Sequence, residues 1–262
     1  MALRRHRSFP WRRTVQLLDR SSSNDSGRAQ AHPSVSEICL GLHIKSVSSG
    51  YVLPNLNTMY LSRLASLLTL ALVAVGQDVS IRAVKKAFND ADIPANLEIV
   101  FNPTALLEVS LPQATGPPIT LHAGIQVPRN DTAGPPTFHV VGNVGSGPFV
   151  VATVDPDAPT PQDPTSAQIR HFLGGNFFNH GGLLVNSTPA ISEFRQPTPP
   201  AGSDAHRYIF LLFKQSPEFA TQTLVNSTTS VSLFNISSFA SAVDLGNPLA
   251  GTFMLVAPDP AT

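Results

Sequence analysis

Residues 208–213 read YIFLLF and residues 149–154 read FVVATV. Apolar runs this short and this nearly unbroken are the pattern of strands covered on both faces, so both are expected at the centre of a sheet that is packed on each side. Side chains alternate along a strand, which puts Ile209, Leu211 and Phe213 on one face and Phe210 and Leu212 on the other. Around these two, the segments Leu106–Leu111, His122–Val127, Thr137–Val141, Ile169–Leu173 and Val231–Phe234 are short, branched or aromatic and bounded by turn residues, and they also read as strands. TFMLVA at 252–257 supplies a last one. Prolines are dense after residue 76, which leaves little room for long helices.

Two short helices are expected. Residues 79–93 set Ile81, Val84, Phe88 and Ala91 on one side at spacings of three and four, with Pro94 as the stop. SSFASAVDLG at 237–246 gives the second, capped near Ser237–Ser238 and ended by Gly246. GNVGSG at 142–147 is glycine-rich, but no G-K-S/T follows and the next element is a strand, so it reads as a hairpin turn rather than a phosphate cradle.

The 262 residues carry no formal net charge, and that balance conceals two unlike segments. Residues 1–58 hold eight Lys and Arg against three Asp and Glu, whereas residues 59–262 hold nine against fourteen. A long basic face for nucleic acid is therefore not expected on the larger segment. The one cysteine, Cys39, allows no intrachain disulfide, no cysteine zinc site and no C-x-x-C redox centre. Residues 1–58 mix Arg clusters with Ser, Asn, Gly and Pro without an apolar period; they are expected to be disordered, and read either as a transit peptide or as the product of a misplaced start.

Residues 59–76, MYLSRLASLLTLALVAVG, have Arg63, an apolar stretch from Leu64 to Val75, and small residues Ala74 and Gly76 before Gln77. That is the shape of a secretory signal peptide, and the run is shorter than the roughly 20 apolar residues a spanning helix needs. Residues 77–262 are then expected to be one secreted domain without a transmembrane anchor, and N-x-Ser/Thr sequons at Asn130, Asn186, Asn226 and Asn235 make it a candidate glycoprotein.

The unusual segment for chemistry is DPDAPTPQDPTSAQIRH, residues 155–171. Asp155 and Asp157 follow a buried-looking strand on a loop stiffened by Pro156 and Pro159. Such a pair suits an acid pair, a metal or a polar ligand, and it is equally an ordinary strand-ending turn. His171 and His206 are the other candidates, each readable as a ligand group or as a structural strand residue. No His-x-His or H-E-x-x-H spacing points to a metal. No G-x-S-x-G is present, and Ser203, before Asp204 and His206, lacks the strand–turn–helix setting of an activated nucleophile, so no enzyme is expected.

VDPDAP at 154–159, RHF with Asn176 at 170–176, PP at 199–200, AHRYIFLLFKQ at 205–215 and VDLGNPLAGTFML at 243–255 together resemble the phosphatidylethanolamine-binding protein family, as a secreted, fungal-like member, over about residues 80–257. The resemblance implies a mostly β fold, with a large central sheet, a smaller second sheet and a few peripheral helices. It also implies a small pocket at one end that takes phosphate, acetate or a phospholipid head group, with no cofactor. By motif, Asp155 and Pro156 would form one wall, His171 another, and His206 with Tyr208 the third. Asp157 would hold the loop to its neighbouring strand, Arg207 would lie beside the pocket, and Pro199 and Pro200 would belong to the pocket-forming loop. The departure is FRQPT at 194–198, where the family has a Tyr and glycines; Arg195 would add positive charge at the mouth if its side chain turned inward.

The function so implied is non-enzymatic binding of an anionic or phospholipid head group. The alternative is inhibition of a secreted or vacuolar peptidase, since some similar proteins inhibit serine carboxypeptidases. A carboxylate beside an anion repels it unless His171 or His206 is protonated, so occupancy is expected to weaken above the ordinary histidine pKa of roughly 6.5.

Overall fold

The computed structural model describes residues 77–260; the expected N-terminal extension with Cys39 and the expected signal peptide lie outside them. Nine strands are present: β1 (Leu106–Leu111), β2 (Ile119–Thr120), β3 (Ile125–Gln126), β4 (Thr137–Val141), β5 (Phe149–Asp155), β6 (Ile169–His180), β7 (Leu183–Asn186), β8 (His206–Lys214) and β9 (Ala250–Val256). They form one sheet in the order β2-β1-β4-β7-β6-β5-β8-β9-β3. All neighbours are antiparallel except β3 and β9.

β5 and β8 pair at the centre, and every residue of β5 is buried. Their two faces meet different material. Val150, Ala152, Val154, Ile209, Leu211 and Phe213 pack against the helices. On the other face Val151, Phe210 and Leu212 meet Leu107, Val109, Phe138 and Val140 of β1 and β4. The sheet thus folds over itself: the smaller layer β2–β1–β4 covers β8 and β9 while remaining hydrogen-bonded to the larger part through the short pairing of β4 with β7.

Four short α-helices lie among the described residues: α1 (Ile81–Asp90), α2 (Ile93–Leu97), α3 (Pro217–Thr221) and α4 (Ile236–Ala242). α1 buries Val84 and Phe88, and Phe88 stacks on Phe101 with ring centroids 3.9 Å apart. Ile81 faces solvent instead of the core. Pro94 does not simply end α1. It sits in the first turn of α2, where its missing N–H has no partner to lose. α4 is capped by Asn235, whose side chain accepts from Ser238 N, and not by the serines that follow it.

Three strand and turn expectations are corrected. Only Ile125–Gln126 of the segment 122–127 is strand. Val231–Phe234 is not a strand: it crosses the end of β6, where Arg170 N donates to Val231 O and Phe234 N to Gln168 O. Residues 142–147 join β4 to β5, which are not neighbours, so the segment is a crossover and not a hairpin. β6 extends well past Leu173 because Gly174 and Gly175 remain extended; a Cβ on Gly175 would lie 2.3 Å from the Phe219 ring of α3, so the glycine permits that close approach.

Candidate functional site

Asp155 ends β5, and its carboxylate is spent in two directions. Oδ1 accepts from Asp157 N at 2.7 Å, which closes the Pro156 turn, and Oδ2 lies 2.9 Å from His206 Nδ1. His206 begins β8, on the same face as Tyr208 and Asp155, and it is 1% exposed. Its other nitrogen, Nε2, is 2.9 Å from Ser203 Oγ. Ser203 has a single hydroxyl proton, and that hydroxyl donates to Asp204 O at 2.8 Å. With the proton so placed, Oγ accepts from His206 Nε2–H, an arrangement that, with Asp155 at Nδ1, favours the protonated imidazole. Burial alone would lower the His206 pKa, but the Asp155 hydrogen bond and charge, with Asp157 and the Pro159 carbonyl, outweigh it and the net shift is upward.

His171 reaches the site through an irregularity. Val154 pairs with Arg170 and Thr153 with Phe172, so His171 is the extra residue of a β-bulge in β6. The bulge interrupts the alternation. Arg170 goes to the helix face, over the Phe234 ring, while His171 meets the edge of Tyr208 at 4.9 Å on the opposite face. His171 Nδ1 is 2.9 Å from Arg195 O, and Arg195 N donates back to His171 O. A carbonyl can only accept, so Nδ1 carries the proton and the neutral ring presents Nε2 as an acceptor. Burial lowers the His171 pKa; the Arg195 carbonyl and the Asp155 charge oppose this only in part. Tyr208, also buried, has its phenol pushed up by burial first and then by the Asp155 charge.

Asp155, His171, His206 and Tyr208 therefore converge, whereas Pro156 lines the cavity that Asp157 and Arg207 border. Arg207 does not join them. It points to the helix face, where it donates from Nε and from the backbone to Asp157 Oδ2 and from Nη2 to Asp157 Oδ1, and Nη1 binds Ala91 O and Asn96. Asp157 and Arg207 border a separate polar cavity of about 290 Å³. Pro199 is buried and Pro200 exposed; the Arg195 side chain is exposed, while its backbone holds His171. The four sequon asparagines, Asn130, Asn186, Asn226 and Asn235, are all exposed. Two contacts escape a reading of the sequence alone, that of the Ser203 hydroxyl with His206 and that of the Arg195 carbonyl with His171. Nothing in residue type marks a backbone carbonyl, and Ser203 three residues before His206 was the one available signal.

Ser203, His206 and Asp155 connect in the order of a hydrolase triad, but the roles do not follow. The Ser203 hydroxyl proton is given to Asp204 O and not to His206. The Ser203 N–H is given to Pro200 O, so it is not free to hold an oxyanion. What the site presents is a set of buried polar groups, Asp155, His171, His206 and Tyr208, suited to recognising a polar group.

The sequence profile described as Phosphatidylethanolamine-binding protein matches residues 112–254. CEN-like protein 4 of Nicotiana tabacum is 32% identical over 105 residues, 40% of this chain and 56% of that protein, so the match spans little more than half its length. Among solved structures, carboxypeptidase Y inhibitor complexed with its cognate proteinase aligns with a TM-score of 0.56 at 19% identity, over 68% of this chain and 96% of that one. The phosphatidylethanolamine-binding protein from Plasmodium vivax aligns at 0.55 and 14% identity, over 66% and 97%. At these identities the two structures speak for the fold. The profile match covers more than half of the chain, and the chain belongs to the phosphatidylethanolamine-binding protein family.

Proposed function

We propose that this chain works by binding, and that its partner is a peptidase of the serine carboxypeptidase type, which it inhibits. One observation carries the reading: the site that would take a small ligand is closed by the chain's own groups. His206 is held between Asp155 and Ser203, His171 is held by Arg195, and Asp155, His171, His206 and Tyr208 are all buried. That leaves outer surfaces for a macromolecular partner, and the likeness to carboxypeptidase Y inhibitor supports the same reading. On this proposal the chain is a secreted, fungal-like member, cleaved before Gln77 into a single domain over 77–262, with glycans on its exposed sequons; secretion would bring it to a secreted or vacuolar peptidase. The test is titration of the purified chain into carboxypeptidase Y with a peptide substrate. Stoichiometric loss of hydrolysis is expected, and full activity at tenfold excess of the chain overturns the proposal.

A second reading is binding of a phosphate-type anion or phospholipid head group, and it rests on His171. None of the hydrogen bonds at this site uses its Nε2, which leaves that nitrogen for a ligand beside His206. Calorimetric titration with phosphoethanolamine tests it: saturable heat lost in His171→Gln is expected, and equal binding by parent and variant overturns it.

A further inference from the structure

Three side-chain amides line the polar cavity of about 290 Å³ beside Asp157 and Arg207: those of Asn96 in α2, Gln168 just before β6 and Asn235 at the cap of α4. Each has its oxygen committed to a donor of the fold. Asn96 Oδ1 accepts from Arg207 Nη1 at 2.8 Å, Gln168 Oε1 from Ile236 N at 3.0 Å, and Asn235 Oδ1 from Ser238 N at 2.7 Å. An N–H can be met only by the amide oxygen, so none of the three amides can be turned over, and each keeps an NH2 group with two donors. Those NH2 groups have no partner among the described residues. Gln168 matters most, because it is 7% exposed. Thr153 Oγ1 is the one wholly buried side-chain polar atom left without a partner among the described residues, so the unbonded Gln168 Nε2 opens to the cavity that Gln168 lines.

Charge narrows the ligand class. Arg207 is matched by Asp157, while the Glu98 carboxylate, also on the cavity wall, has no ion pair or hydrogen bond among the described residues. The formal balance is therefore negative, which disfavours an anion despite the donors. A cation fares no better, since it would meet three NH2 groups and a single free carboxylate. A neutral molecule rich in hydroxyls suits both halves of the wall: its oxygens accept from the amides, and one O–H donates to Glu98. Pro156, Pro161 and Pro164 supply apolar surface for its C–H groups. The volume is at the lower end of ligand pockets, which suits one ring and not a chain of rings.

We propose that this cavity binds one neutral pyranose, free or as the end residue of a glycan, with its hydroxyl oxygens on the NH2 groups of Asn96, Gln168 and Asn235 and one hydroxyl on Glu98. The inference depends on neither the peptidase nor the head-group reading, because none of Asp155, His171, His206 and Tyr208 lines the cavity. Asn235 is also a sequon residue. A glycan attached there would use the same Nδ2, so the cavity serves a ligand in chains whose Asn235 is unmodified.

The experiment is a magnetic-resonance titration of the purified, nitrogen-15-labelled chain from a bacterial host, read at the side-chain NH2 signals of Asn96, Gln168 and Asn235. The probes are the methyl pyranosides of glucose, mannose and galactose, the matching trisaccharides, cyclohexanol and inorganic phosphate. At least one pyranoside is expected to shift all three signals saturably, and cyclohexanol, a ring without the hydroxyl array, is expected not to. Asn235→Ser keeps a capping oxygen for α4 and removes its NH2 group, and Asn96→Ala removes another at an exposed position. Each should weaken the sugar at least fivefold, with circular dichroism as the check on folding. A trisaccharide at least tenfold tighter than its methyl pyranoside assigns the ring to a glycan, and equal affinity assigns it to a free sugar. Absence of saturable shifts with every sugar, or unchanged affinity in both variants, overturns the site. Cyclohexanol acting as strongly as the pyranosides overturns hydroxyl recognition, and phosphate shifting the three signals at lower concentration than any sugar overturns the ligand class in favour of an anion.

Discussion

His206 Nδ1 and Asp155 Oδ2 lie 2.9 Å apart, with the two side chains only 1% and 3% exposed, and this buried contact ties the start of β8 to the end of β5. The net pKa of His206 is raised above its unfolded value, despite the opposing effect of burial. A raised histidine pKa means that the folded state binds the proton more tightly than the unfolded chain does. Its stabilisation is then fully present below the unfolded pKa of roughly 6.5 and is lost as pH rises through the folded value. The stability gap between the parent and His206→Gln should therefore be widest near pH 5.5 and narrow toward pH 9, read from urea unfolding at several pH values. His171 is shared by both proteins and largely cancels. A gap that is constant or widens with pH would show that His206 is neutral in the folded protein.

Asp157 and Arg207 make the second tie, across the loop to α1 and α2. Asp157 is 3% exposed and Arg207 19%, and the contact is a two-pronged fork with an added backbone bond. Removing one member of a buried pair leaves its partner uncompensated, at a cost of about 3–5 kcal/mol, and the partial exposure of Arg207 places this pair at the lower end of that range. Arg207→Lys keeps the charge but loses the fork, and it should recover less than half of the loss seen in Arg207→Ala. Thermal unfolding measures both; full recovery by lysine would mean that charge alone, and not geometry, holds the loop.

Leu211 and Leu212 are both fully buried on opposite faces of β8, one against the helices and the other against β1 and β4. Each should lose about 2–5 kcal/mol on truncation to Ala, because neither layer can collapse far into the gap. Leu233 is 70% exposed, and its truncation should stay within about 0.5 kcal/mol. Chemical denaturation of the three variants ranks them. A loss below about 1 kcal/mol for Leu212→Ala would mean that the folded-over layer is not packed.

How far the sequence was legible follows from these same residues. YIFLLF and FVVATV declared the centre of the sheet because both faces demand apolar side chains, and no local choice competed with that demand. β2 and β7 were not legible. They are two and four residues long, and their pairing comes from β1, β4 and β6 rather than from their own pattern. Val231–Phe234 has strand-like residues, yet it lies across the end of β6, where tertiary contacts override propensity. At the site, Asp155, His206 and Tyr208 share a face by simple alternation. The direction of His171 depends on a register shift between Thr153 and Val154 that leaves no mark in residue type. The Arg195 side chain was expected at the mouth if turned inward; it is exposed, and its backbone carries the contact.

The last prediction turns on the proton of His171. Because the Arg195 carbonyl fixes Nδ1 as the donor and burial lowers the pKa, the resting ring offers only an acceptor at Nε2. An anion that can only accept hydrogen bonds must therefore bring a proton onto the ring, whereas an anion carrying its own hydroxyl proton can donate to the neutral ring. Sulfate, which stays fully ionised near neutral pH, separates the two cases. If His171 recognises anions, sulfate binding near pH 7 should be accompanied by uptake approaching one proton, read as a calorimetric heat that varies with the ionisation enthalpy of the buffer. Sulfate affinity should rise as pH is lowered toward the depressed His171 pKa, with the gain levelling once the ring is protonated. His171→Gln, with a neutral amide that needs no proton to donate, should abolish the uptake and flatten the pH dependence between pH 5 and 8. Sulfate binding without proton uptake, or no sulfate binding even near pH 5, would remove His171 as the recognising group.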